Sequence, residues 1–358
     1  MKKYISKFLT LAFAAFGTFS FLLFSSCDGV IFHTIRDEVE LADAKLSGDI
    51  QNIVRYKDEI FVSTGEIWHR DTSDTKKDWA SFTNPSSKYV YSLAADSANL
   101  YALTVSLEED DDGYNVAKTR TLYCYDGSSW TQIWSQSYSK SVYAILFCTN
   151  SPKEANREAY FRYGSTVWKL DGTTSLTADN TFPTDSTDNS TTPTTGVRSC
   201  TVLGDEVYFS SAYAMASNET KDESSTCIYR CDSSTIYYSK DGSSWSSANL
   251  GCDTIYSIGI TKDYILVGTK SGIAHQKWSS TFTPTGGAPA TGTSDFDTNA
   301  ASTLSSYYEV PTILVVDPAQ AEKAATIYAS SITSSSSASL NNVGLWSYFA
   351  SKGEWNRE

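Results

Sequence analysis

Seven cysteines and three histidines hold most of the reactive side-chain chemistry in this 358-residue chain. Cys27 stands apart, directly after Ser25 and Ser26 at the end of an apolar run. Cys124, Cys148, Cys200, Cys227, Cys231 and Cys252 are scattered and form no Cys-x-x-Cys pair. With so few histidines, that spacing does not read as a zinc site. In an oxidising compartment an even number of thiols permits disulfides, while buried strand thiols fit equally well. The nearest pair, Cys227 and Cys231, is where a local bridge is first expected. His33, His69 and His275 occur in unrelated contexts, so no nucleophile–base arrangement is expected, and no catalytic residue is assigned. His69 follows Trp68 in a strand-like segment and reads as a packing residue. Glu108-Glu109-Asp110-Asp111-Asp112 could gather oxygen ligands for Ca²⁺, but it lacks the alternating spacing of a calcium loop. A solvated loop is expected there. Neither a metal nor a cofactor is expected.

Two further clusters have a definite turn chemistry. Asp126-Gly127-Ser128-Ser129-Trp130 and Ser239-Lys240-Asp241-Gly242-Ser243-Ser244-Trp245 both set an Asp before a Gly and close on a Trp. An Asp carboxylate can accept hydrogen bonds from backbone N–H groups just after it. The Gly admits the positive φ of a tight hairpin turn. The Trp can fold back and bury a large apolar surface.

The elements that position these groups begin with an address. Lys2, Lys3 and Lys7 precede an apolar run from Phe8 to Phe24. This is the pattern of a secretory signal, and the run only reaches the lower limit for spanning a bilayer. Phe24-Ser25-Ser26-Cys27 resembles a bacterial lipobox, with Phe24 where Leu is usual. The resemblance implies a signal peptide over 1–26, cleavage before Cys27, and a diacylglycerol thioether on the Cys27 sulfur. A further amide-linked acyl chain, such as palmitate, is usual in that family. Each buried CH₂ contributes about 0.8 kcal/mol, so two or more chains anchor firmly. The expected partner is therefore a membrane, reached through the lipid on Cys27. The expected location is the bacterial cell envelope, on the periplasmic or cell-surface side. Residues 27–46 would be anchor and linker, and 47–358 the folded domain.

Composition narrows the domain. Lys plus Arg is 28 and Asp plus Glu is 41, a net charge of −13. Such a chain repels phosphate backbones, which argues against nucleic acid as a partner. Aromatics reach 13% and charged residues only 19%. Aromatic and β-branched side chains suit a pleated, half-buried surface.

A repeat runs through this β-rich composition. TLYCYDGSSW at 121–130, TIYYSKDGSSW at 235–245 and TVWKLDGTTS at 166–175 share one strand–turn pattern. First strands align at Ile53, Leu93, Ile145, Cys200, Ile258 and Ile313. Several strands per unit at this period are the signature of a β-propeller. The fold expected is all-β, a six-bladed β-propeller of four-stranded antiparallel blades. Two packed β-sandwiches are the alternative. Helix is expected only in the signal and in short stretches at Asp37–Leu46 and Pro318–Ala325. Segments 184–195, 283–300 and 330–339 have loop composition. A strand near Glu38–Ala42 could join the last blade and cover a sheet edge.

The turn at Ser239–Trp245 resembles the Asp-box of sialidase-type propellers, one residue shorter between Asp241 and Trp245. The copy at Asp126, Gly127 and Trp130 lacks the leading Ser. The resemblance implies a structural role for Asp126, Gly127, Trp130, Ser239, Asp241, Gly242 and Trp245, away from any active site. Sialidases also need an arginine triad and a Tyr–Glu pair, and no Phe-Arg-Ile-Pro-like segment occurs here. The function expected is a binding or scaffolding module for a protein or glycan partner, not an enzyme. The alternative is a carbohydrate-active enzyme with its site in the propeller channel, which would need two acids roughly 5–10 Å apart. A purely structural envelope component is a third reading.

Overall fold

The computed structural model describes residues 46, 48–50, 52–72, 79–86, 89–172, 175–176, 196–219, 227–249, 254–261, 264–277, 308–316, 325–333, 343–349 and 354–358. Residues 44–358 make up one compact unit, and the account below concerns that unit. Cys27 lies outside the described residues, as do the expected strand at Glu38–Ala42 and the loops at 184–195 and 283–300.

The regular secondary structure of the described residues is almost entirely β, in antiparallel sheets. The first sheet is β1 (Ile53–Tyr56), β2 (Glu59–Ser63), β3 (Ile67–Asp71) and β4 (Ala80–Phe82), in sequence order. The second is β5 (Tyr89–Ala95), β6 (Leu100–Glu109), β7 (Asn115–Tyr125) and β8 (Trp130–Ser137). The third is β9 (Ala144–Cys148), β10 (Ala159–Tyr163) and β11 (Thr166–Leu170), and the fourth is the hairpin β12 (Ser199–Leu203) and β13 (Glu206–Ser210). The fifth is β14 (Met215–Ser217), β15 (Ile228–Asp232), β16 (Thr235–Ser239) and β17 (Ser246–Asn249). The sixth is β18 (Ile255–Ile260), β19 (Tyr264–Thr269) and β20 (Gly272–Lys277). In the seventh, β21 (Tyr308–Glu309) and β22 (Ile313–Val315) both pair with β23 (Ala325–Thr333), followed by β24 (Gly344–Phe349) and β25 (Glu354–Arg357).

The six expected units thus correspond to seven sheets among the described residues, and only some have four strands. Residues 199–249 read as one unit in the sequence but hold two sheets. The reason is β14, a Met-Ala-Ser strand of three residues with no apolar alternation to announce it. The expected loop at 330–339 also needs correction. Ser330–Thr333 end β23, and Ser330 and Ser331 are fully buried. Small hydroxyl side chains fit the close packing there, and Ser331 Oγ accepts a bond from Trp346 Nε1 at 3.1 Å.

The sheets cannot bury both faces alone, and the apolar clusters lie between consecutive sheets. Val54, Phe61 and Ile67 pack with Val90, Leu93 and Leu100 across sheets one and two. Tyr101, Leu103 and Leu122 pack with Leu146 and Phe161 across two and three. Phe147 and Tyr160 meet Cys200 and Phe209 across three and four. Cys231 and Ile236 meet Ile258 and Val267 across five and six. Leu266 and Ile273 meet Ile313 and Trp346 across six and seven. Ile53, Ile60 and Trp79 meet Leu314, Tyr328 and Leu345 across seven and one. The first strands follow the same succession: β1 neighbours β5, then come β9, β12, β14, β18 and β22, and β22 neighbours β1.

Polar seams reinforce these junctions. Asn52 Oδ1 accepts from Leu93 N at 3.0 Å, linking sheets one and two. Ser257 Oγ donates to Val310 O at 3.0 Å beside sheets six and seven. Between sheets one and seven, Arg70 donates to both Glu358 carboxylate oxygens, at 2.7 and 3.0 Å. Arg70 also reaches Tyr328 Oη at 2.9 Å, and Trp79 Nε1 donates to Glu358 at 3.1 Å. Leu46, expected in the linker, is instead buried, and its N–H donates to Glu358 O at 3.0 Å.

Candidate functional site

First strands from several sheets line one cavity of about 470 Å³. Asn52–Val54 contribute from sheet one, Ile145–Cys148 from sheet three, and Ser199–Cys200 from sheet four. Met215, Ile258 and Ile313 contribute from sheets five, six and seven. A smaller cavity of about 100 Å³ shares Cys148, Cys200, Met215, Ile258 and Ile313, and adds Ser151, Thr201, Ser217 and Glu219. The shared residues are mostly apolar because alternate positions of a first strand face its neighbours. Tyr143, Arg198, Tyr213, Tyr256 and Glu309 also line the larger cavity. Tyr143 is 47% exposed and Tyr213 48%, so these two rings are open to solvent. The Tyr213 ring meets that of Tyr256 edge-on, with centroids 5.4 Å apart.

Among the described residues, each cavity is lined by one carboxylate, Glu309 in the larger and Glu219 in the smaller. Glu219 is buried and accepts from Asn156 Nδ2 at 2.8 Å and from Ser151 Oγ. Burial raises its pKa, against those hydrogen bonds and the charge of Lys153. Among the described residues, no group of three His, Cys, Asp or Glu side chains could hold a metal.

Four of the five described thiols lie in strands, and Cys227 directly precedes β15. Cys124, Cys148, Cys200, Cys227 and Cys231 are all free. The expected Cys227–Cys231 bridge does not form. Cys227 directly precedes β15 and Cys231 lies in it, four residues further on. That separation is about 13 Å along a strand, beyond the 7 Å limit for a disulfide. Cys148 and Cys200 face the shared part of the cavities from neighbouring strands. Burial pushes the Cys148 thiol up to about 11. Burial and the nearby Cys148 hold Cys200 well above the usual thiol range.

The two Asp–Gly–Trp turns lie in β-hairpins, apart from these cavities. Asp126 Oδ1 accepts from Ser128 N at 2.8 Å, Ser129 N at 2.9 Å and Ser128 Oγ at 2.7 Å. Gly127 takes φ +97°. Trp130 donates through Nε1 to Thr83 O at 2.7 Å and packs by Phe82 and Tyr125. In the second turn, Asp241 Oδ1 accepts from Ser243 N at 2.9 Å and Ser244 N at 2.7 Å. Ser239 Oγ accepts from Gly242 N at 2.9 Å. Trp245 Nε1 bonds Gly242 O at 3.0 Å, and the Arg230 guanidinium lies 4.4 Å over the Trp245 ring. The acidic run forms the exposed tip of the β6–β7 hairpin, where Asp110 Oδ1 accepts from Tyr114 N at 2.8 Å. His69 packs between Phe61 and Phe82, with Nδ1 3.2 Å from Glu59.

A lipoprotein family model matches residues 10–306, most of the chain. The chain belongs to the TP013X lipoprotein family. Membership makes it a membrane-associated lipoprotein, held by lipid at the envelope. Among the described residues no helix is long and apolar enough to cross a membrane. No curated relative matches the chain. Among solved structures it is similar to a chain of "Crystal Structure of Mitotic Checkpoint Complex", at 9% identity. That match covers 89% of this chain and 83% of the other, with a TM-score of 0.37, and carries no inference about fold.

One further group of residues lies near the cavity. Arg162, Arg198 and Arg230 line a pocket of about 630 Å³, which shares Arg198 and Tyr213 with the larger cavity. They lie 36 and 32 residues apart on three sheets, so no local pattern flags them.

Proposed function

We propose that this lipoprotein is a seven-bladed β-propeller, tethered through lipid on Cys27 to a bacterial envelope membrane, that binds a protein or glycan partner. Cleavage after residue 26 leaves Cys27 as the anchor, on the periplasmic or cell-surface side. The succession of first strands from β1 to β22 and back to β1 supports a closed ring. Apolar clusters between consecutive sheets support it too, since blades bury their faces only against each other.

The observation that carries the binding role is the larger cavity, lined by six of the seven first-strand segments, with two solvent-open tyrosines. Tyr rings supply a large amphipathic contact area for a partner. Among the described residues each cavity is lined by one carboxylate, which favours binding over the two-acid arrangement of glycoside hydrolysis. The carbohydrate-active alternative would have to run through Glu309 or Glu219.

Affinity capture with the detergent-solubilised lipoprotein tests the role. A partner should be retained by the native protein and lost from a Tyr143→Ala, Tyr213→Ala variant. Capture insensitive to both substitutions would overturn the binding face. For the anchor, Cys27→Ala should abolish palmitate labelling and detergent-phase partitioning. Retained labelling would move the lipid elsewhere.

A further inference from the structure

Two opposite charges line the larger cavity and do not meet. Among its lining residues, Arg198 is the one cation and Glu309 the one carboxylate. Neither forms an ion pair among the described residues, with the other or with any third group. Arg198 precedes β12 of sheet four, and Glu309 lies in β21 of sheet seven. Ile53, Ile145, Met215, Ile258 and Ile313 give the same cavity its apolar wall.

Both groups are held in place with their ionic ends available. Arg198 Nε donates to Ser211 O at 2.7 Å, and the guanidinium sits 4.2 Å over the Tyr213 ring. Its two terminal nitrogens have no acceptor among the described residues. Glu309 is half-buried, and its backbone is fixed by pairing with Ile332 of β23. Its carboxylate accepts no hydrogen bond among the described residues.

The separation of the charges limits what can fill the space. An occupant of one charge sign would satisfy one group and face the other with a like charge, which is costly in a partly desolvated site. A neutral sugar would leave both ionic ends without a counter-charge. An occupant with a cation at one end and an anion at the other satisfies both. A cavity of about 470 Å³, taken as a sphere, is roughly 10 Å across, the span of about three extended residues. A short peptide with free ends carries an ammonium and a carboxylate at that spacing, and its side chains supply the apolar part. The guanidinium fork of Arg198 suits the carboxylate end. Resting on the binding role above, we propose that the larger cavity takes a peptide of about three residues, with its ammonium against Glu309, its carboxylate against Arg198 and an apolar side chain on the isoleucine and Met215 wall.

The test uses the full lipoprotein in detergent and ligand-observed NMR titration with glycyl-leucyl-glycine. Its N-acetyl and C-amide forms each lack one end charge, and free leucine holds both charges too close together to reach both groups. The expected result is saturable tripeptide binding at about millimolar Kd. Each capped form and leucine should bind at least about tenfold more weakly. In Glu309→Gln the penalty for N-acetylation should shrink to about twofold or less, while the penalty for amidation persists. Arg198→Gln should do the reverse. Absence of tripeptide binding overturns the proposal. So does capped peptide binding as tight as the parent, or discrimination between the forms that both variants retain. Partner capture that still depends on Tyr143 and Tyr213 without tripeptide binding would leave the binding role standing and remove only the peptide site.

Discussion

The seam between the first and seventh sheets gives the sharpest prediction. Glu358→Ala removes a carboxylate whose side chain is 10% exposed and leaves the Arg70 guanidinium, 3% exposed, without its anion. It also strips acceptors from Trp79 Nε1 and Ser347 Oγ. The backbone bonds of residue 358 to Leu345 and Leu46 remain, so the lost term is the side chain alone. Desolvation is the largest influence on Arg70, yet its pKa is raised, because Tyr328 and Glu358 together outweigh burial. Breaking a buried pair from one side costs about 3–5 kcal/mol, because the remaining charge stays buried. At about 2.1 cal/mol/K of unfolding entropy per residue, that is a fall in Tm of roughly 5–8 °C for a unit of this size. Replacing both partners with apolar residues, Arg70→Met with Glu358→Leu, should cost much less than the sum of the two single changes. Urea unfolding followed by tryptophan emission suits the test, since Trp79 sits in the seam with Arg70 4.7 Å over its ring. A Glu358→Ala loss below about 1 kcal/mol, or a double variant equal to the summed singles, would refute the reasoning.

Three other outcomes follow from the turns and thiols. Gly242→Ala should lower stability by about 1–3 kcal/mol in a thermal melt, because φ is +71° and a Cβ would come 2.0 Å from the Tyr208 ring. Backbone and hydroxyl donors at Ser129 and Ser128 lower the Asp126 pKa to about 2. Its stabilising contribution is therefore present above the unfolded value near 4 and lost as pH falls through about 2. Asp126→Ala should accordingly differ from the parent in urea midpoint at pH 7, with the difference closing below pH 4; an equal gap at pH 2 would contradict this. Cys148, with its thiol pushed up to about 11, should resist iodoacetamide at pH 7.5 in the folded protein and react on unfolding. Peptide mapping reads this directly, and rapid labelling of folded Cys148 would count against the raised pKa.

Local chemistry was legible because it depends on neighbours in the chain. The hydrogen bonds of Asp126 and Asp241 reach residues two and three positions on, so the side-chain types alone dictate the turns. The β-class follows from aromatic and β-branched alternation, and pairs such as Ile145 in β9 and Ile313 in β22 begin comparable strand–loop–strand units. The family match agrees with the reading of the chain as a lipoprotein.

What the residue order could not express is distance across sheets. The three-residue β14 gains its identity as a strand only by pairing with β15, so the unit at 199–249 divides in two only in three dimensions. Leu46 and Glu358 meet at a seam although they stand at opposite ends of the folded unit. Arg162, Arg198 and Arg230 become one pocket because three separate sheets present them to the same space. Sequence periodicity records which side of its own strand a residue faces. Which distant residue it meets there is set by how the sheets pack.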